Sequence, residues 1–301
     1  MIITTSLRRT VSVGVTALAV VAGAVVASPA LAATTDAPAQ HHVCDGPLTD
    51  QVVTGNLWVP PAGSCALEGV EVTGRVVVSD DALLTLSGSS IGGDLVAWEG
   101  SRTEVHGSTL HADLLVNEST AALVHGSRVV GSVLGRVATV DLTTSTVEGS
   151  INLGARRSTS VVDSTVSGSF RVHGGQVGVA WSSLGSSATV SGADGFRTCG
   201  TDIAGDLTVR WAHSLIGIGF SGAVGCTVAQ LAEGDPRLTL PAAQRDAVHV
   251  GGSVLLTGNP HSIFVRAGSI AGDLVCESNV GPRGVNVSGV DVGGTRTGQC
   301  A

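Results

Sequence analysis

Two carboxylates, Asp94 and Asp113, fill equivalent places in the phrases Ile91-Gly-Gly-Asp94-Leu95-Val-Ala97 and Leu110-His-Ala-Asp113-Leu114-Leu-Val116. Four residues beyond each such position stand Ser79, Trp98, Asn117, Arg136, His173 and Arg210. Neighbouring carboxylates can hold Ca²⁺, an arginine can take a proton from an acidic sugar, and an indole offers a stacking platform. Asp94, Trp98, Asp113, Asn117, Arg136 and His173 are therefore candidate glycan-face residues for a lyase, a hydrolase or a binding module. Ser132, Ser150 and Ser169 replace the acids in the next copies, which weighs against catalysis, and no catalytic residue is assigned.

Other reactive side chains have plainer readings. His106-Gly-Ser108 and His125-Gly-Ser127 would stack two imidazoles one coil apart, a conceivable metal pair. That column is read as continuing through Thr144 and Asp163, and a turn ladder of small polar residues explains it without a metal. Ser108, Ser127, Ser145, Ser164 and Ser182 read as hydroxyls that satisfy turn backbone, not as nucleophiles. Neither a Gly-x-Ser-x-Gly elbow in a strand-to-helix context nor a phosphate loop occurs, and no cofactor is implied. All sixteen basic residues are Arg, so lysine bases and Schiff bases are excluded. Beyond residue 32 the chain has 14 Arg against 24 acidic residues, a balance that argues against nucleic acid and anionic membranes as partners.

Residues 1–32 read as a signal peptide: Arg8 and Arg9, an apolar stretch from Val11 to Ala27, then Ala30-Leu31-Ala32, with cleavage expected before Ala33. The mature form should then be secreted, extracellular or held at the cell envelope, with no membrane span. Six cysteines, an even number, suit disulfides in an exported chain. They lie as sequence neighbours, so the expected pairs are Cys44 with Cys65, Cys199 with Cys226, and Cys276 with Cys300. No Cys-x-x-Cys or close Cys/His cluster calls for zinc.

What positions all these residues is a repeat. The phrase around Asp94 recurs eleven times, with its fourth residue at 56, 75, 94, 113, 132, 150, 169, 187, 206, 253 and 273. Its first column is Val, Ile or Leu throughout, and its fifth, Leu57 through Leu274, is equally apolar. Its third is Gly in nine of eleven copies, as expected of tight turns or positive φ. A short strand recurring every 18 or 19 residues, too closely for a helical crossover, must stack on its successor. The apolar spacing within a coil (Ile91, Leu95, Ala97, Val105, Leu110) is not the six-residue spacing of a left-handed form. The fold expected is all-β: a right-handed parallel β-helix of about eleven coils. Residues 44–301 form the single domain, 33–43 a flexible N-terminal tail, and 227–247 an inserted loop or short helix. The step from 206 to 253 reads as two coils plus about nine residues.

The sixth column, Trp58, Val77, Val96, Leu115 and Leu134, should face outward as an apolar stripe, and the middle copies break it with Asn152, Arg171 and Thr189. Such a stripe is covered either by the protein's own chain or by a partner.

The phrases Val53-Thr-Gly-Asn-Leu57, Pro61-Ala-Gly-Ser-Cys65-Ala-Leu67, Ile270-Ala-Gly-Asp-Leu-Val-Cys276 and Val292-Gly-Gly-Thr-Arg-Thr-Gly-Gln299-Cys300-Ala301, with Cys44, resemble uncharacterised secreted β-helix proteins of high-GC Gram-positive bacteria. The repeat also resembles that of bactofilins, cytoskeletal β-helix proteins whose rods join end to end without an active site. Bactofilins are cytosolic and usually lack cysteines, so the resemblance implies fold and export more than polymer formation. The reading taken is a secreted, disulfide-capped structural or surface-interaction β-helix without catalytic activity, its partner a second copy of itself or a cell-wall glycan. The alternative is a polysaccharide-active enzyme or glycan-binding module on the exposed face.

Overall fold

The computed structural model describes residues 41–219 and 235–301. They form a parallel β-solenoid of about 13 turns. One coil shows the plan. Leu95–Ala97 lies on a first face, Arg102–His106 on a second and Thr109–Leu110 on a third. The chain then returns to the first face one rung further on, where Leu95 sits beside both Val76 and Leu114. Every described pairing is parallel, as a chain winding always in the same sense requires.

The repeat columns build the core. All eleven first-column residues are buried, from Val53 at 6% exposure to several at 0%. The fifth column is buried too, and with the seventh column, Gly135 apart, and most inward residues of the second face it forms one continuous apolar cluster; Thr103, Thr159 and Thr198 are buried among those inward residues. The third-column glycines lie where the chain bends, as expected, but positive φ is not the general cause. Among them Gly55 has a positive φ, but Gly74, Gly149 and Gly168 are needed because rungs stack closely: a Cβ on any of the three would sit 2.5 or 2.6 Å from the carbonyl oxygen of the preceding rung's glycine.

The solenoid exceeds eleven coils at both ends. His41–Val43, expected in the mobile tail, is a strand paired with Asn56, Leu57 and Trp58. Arg296–Gly298 pairs with Leu274, Val275 and Cys276 as the last rung. These two rungs put His42 and Arg296 in the column that is apolar elsewhere, because an end rung has one side open to solvent. Cys44–Cys65 and Cys276–Cys300 are disulfides as expected, with Cα separations of 5.6 and 5.4 Å. Cys199 is also disulfide-bonded, and Cys226, the partner expected for it, lies outside the described residues, as do residues 1–32 of the expected signal.

The 47-residue step is one coil with an insertion, not two coils plus nine residues. Leu207 pairs directly with Val254, and Asp202 with His249. The described part of the insertion holds a 3-10 turn, Pro236–Thr239, and a helical turn, Ala242–Arg245. It is anchored through Arg237, which bonds Asp163 and Asp235 and stands 5.7 Å from the Trp181 ring. Those carboxylates raise the Arg237 pKa, and Arg237 in turn holds Asp235 below the usual aspartate value. Trp181, Ala180 and Cys199 make a satellite cluster outside the main core.

Candidate functional site

The carboxylates and the arginine column fall on opposite edges of the first face. Asp94 and Asp113 are at the edge nearer the third face, whereas Trp98, Asn117, Arg136 and His173 follow four residues later, about 13 Å along an extended strand. They do not converge on one centre.

The Asp94 edge belongs to the backbone. The N–H of Asp113 donates to Asp94 Oδ1 (3.4 Å) and that of Ser132 to Asp113 Oδ1 (2.7 Å). Ser150 N–H then donates to Ser132 Oγ, and Ser169 N–H to Ser150 Oγ. The same bond recurs at Ser253 to Asp206 and at Thr295 to Asp273. Asp and Ser thus alternate freely because each supplies one acceptor to the next rung. Asp94 also pairs with Arg75 at 3.2 Å. The bonds from Thr295 N–H and Oγ1 lower the Asp273 pKa.

A second ladder runs between the second and third faces, in the opposite sense. Ser89 N–H donates to Ser108 Oγ, and so on through Ser127, Ser145, Ser164 and Ser182. These hydroxyls are at most 6% exposed and donate onward to carbonyls, as Ser145 does to Thr143 at 2.8 Å. They are structural, as the sequence indicates. The residue before each takes positive φ whatever its type: Gly107, Gly126, Thr144, Asp163 and Trp181. Thr144 and Asp163 therefore belong to the glycine column, and the histidine column continues as Thr143 and Val162. The rings of His106 and His125 are 6.2 Å apart and tilted by 55°. No group of three or more metal-ligating side chains occurs among the described residues. A third ladder, missed in the sequence, links Asn259, Asn279 and Gln299 near the C-terminal end.

The opposite edge is open. Arg136, Gly154 and His173 occupy successive rungs; shallow troughs there are lined by Leu134, Asn152, Arg171 and Arg210 as well. Two bulges widen it: the register slips at Glu118, and Arg156 and Arg157 oppose the single Ala138. Glu118 stands between Arg136 (3.5 Å) and Arg156 (3.2 Å). Arg156 was not singled out from the sequence, and Arg171 only as a break in the apolar stripe; the extra residue in the Ala155-Arg156-Arg157 coil was the signal for the first.

Beside this edge runs the apolar stripe. Trp58, Val77, Val96, Leu115 and Leu134 are in register and partly exposed. Val43, 61% exposed, extends it by one rung. Among the described residues no helix is long and apolar enough to cross a membrane. No protein-family model matches the chain, and no curated protein or solved structure matches it significantly.

Proposed function

We propose that this is an exported structural or surface-interaction protein that acts through the outer surface of its solenoid and not by turnover. The observation that most supports this is the use of the chemically capable groups: one oxygen of Asp94 and of Asp113 and the ladder serine hydroxyls already accept backbone N–H groups, and Asp94 is also paired with Arg75. The disulfides favour an oxidising compartment, in keeping with the leader and with the resemblance to secreted β-helix proteins. The apolar stripe supports side-by-side association of two copies. End-to-end joining of the bactofilin kind is less favoured, since His42 and Arg296 occupy the terminal core column and disulfides tie the outermost rungs.

The test has two parts. Export of the full chain should yield a product beginning at Ala33, and non-reducing peptide mapping should find Cys44–Cys65, Cys199–Cys226 and Cys276–Cys300. A cytosolic product with free thiols would overturn the export reading. Incubation with acidic and neutral glycans, with and without Ca²⁺, should release no new reducing ends; release abolished by Asp113→Asn would make the protein an enzyme.

A further inference from the structure

The chain has four Trp, four Phe and no Tyr, yet Trp58, Trp98 and Trp211 are 37%, 42% and 54% exposed. Indoles left in water forgo the burial that gives such rings most of their value, and they are suited to stacking on a ligand. Two of these three bracket one column. Ala97 pairs with Val116, which sets Trp98 beside Asn117. From there the column runs Asn117, Arg136, Gly154, His173, Ser191, Arg210, and Trp211 follows directly. Large groups (Trp98, Arg136, His173, Arg210) therefore recur on every second rung, with smaller residues between them. At about 4.8 Å per rung, that is roughly one group per 10 Å.

Glycines let these side chains lie along the solenoid axis. A Cβ at Gly154 would stand 3.3 Å from Arg136 Cγ, one at Gly192 2.8 Å from His173 Cε1, and one at Gly258 2.7 Å from Trp211 Cδ1. Arg136, His173 and Trp211 thus each rest over a bare position of the next rung. Arg171, two residues before His173 on the same strand, adds positive charge beside this edge, and Arg156 on its bulge shares Glu118 with Arg136, so that this pair of arginines carries one net positive charge. Arg210 lies 4.8 Å from the Trp211 ring.

We propose that this edge is a binding track for a linear acidic polysaccharide lying along the solenoid axis. Its anionic groups meet Arg136, Arg171 and Arg210, and its sugar rings stack on Trp98 and Trp211. The spacing fits a repeat of one acidic and one neutral sugar. Duplex DNA, with a charge about every 1.7 Å, would leave most of its phosphates unmatched, in a protein of net charge −8. The proposal deepens, and rests on, the reading that the outer surface acts by binding.

The experiment titrates the mature chain, residues 33–301, with hyaluronan as an alternating acidic polymer, with neutral dextran, and with polyphosphate, following tryptophan fluorescence. Hyaluronan should bind and dextran should not. Replacing Arg136, Arg171 and Arg210 together by Ala should weaken binding about tenfold or more, as the loss of three exposed ion pairs predicts. The pair Trp98→Ala and Trp211→Ala should weaken it by about tenfold through lost stacking. In the unsubstituted protein, hydrogen-exchange protection should follow this edge and spare the third face, a readout independent of how the variants fold. Equal binding of dextran, polyphosphate binding that matches hyaluronan and ignores the tryptophans, or protection elsewhere would overturn the track. Cleavage of the bound polymer would overturn only the non-catalytic reading, whereas absence of binding without cleavage would overturn only the track.

Discussion

At the edge of the first face nearer the third, Asp113 accepts the Ser132 N–H. Four residues later on the same coil, Asn117 sits beside an Arg136 that is 76% exposed. Both positions come from one repeat and both carry polar side chains. The difference is reach and partner. A short side chain at the first edge meets the next rung's amide, so Asn56, Asp94, Asp113, Ser132 and Ser150 are equivalent there. At the second edge the long side chains extend past the amide and settle over glycine. The carboxylate pair in this repeat is thus a backbone acceptor, whereas the long side chains of the second edge extend toward solvent.

The largest expected effect separates the edges by stability. Asp113→Ala with Ser150→Ala leaves the Ser132 and Ser169 amides without acceptors, and at roughly 1 kcal/mol each should cost about 2 kcal/mol in urea unfolding. Asn117→Ala with Arg136→Ala, on the other edge, should stay within about 0.5 kcal/mol of the parent. Equal losses would break the comparison.

A smaller effect is expected from acid. Bonds from Thr295 depress the Asp273 pKa, so this carboxylate stabilises the last rung fully above the ordinary aspartate range. That contribution is lost as pH falls below it, through the depressed value. Hydrogen exchange at residues 295–298, corrected for intrinsic rates, should accelerate on acidification, and Asp273→Asn should flatten that response. A last rung indifferent to pH in both proteins would detach the carboxylate from the ladder.

The smallest effect on stability is expected midway between the edges. If the stripe mediates association, Leu115→Arg should lower the mass seen by light scattering and leave the melting temperature unchanged, since Leu114 and Val116 keep the core. A lowered melting temperature would mean that the protein's own chain covers the stripe and that the new charge is buried.

Much of the fold was legible because the first interior column is apolar in every copy, so Val53 through Ile270 betray the coil. The end rungs were not, for the same reason: with one side in water, His42 and Arg296 break the pattern that defines a copy. Length arithmetic also failed at 206–253, because a long excursion and an additional coil occupy similar numbers of residues. The site was only half legible. Spacing placed Arg136 and His173 in one column and Asp94 and Asp113 in another, but whether a polar side chain would face a neighbour's amide or a glycine depends on rung geometry.

The insertion after the ninth full coil has a consequence for how the chain can change. Pairing resumes in step on both sides of it, Asp202 with His249 and Leu207 with Val254. The ladder is therefore indifferent to how much polypeptide leaves and re-enters at that corner. Closing a loop twice as long costs only about 0.6 kcal/mol more, small against the cooperative stacking on either side. This corner is a natural grafting point, where a foreign peptide or a whole domain could be displayed without re-phasing the coils.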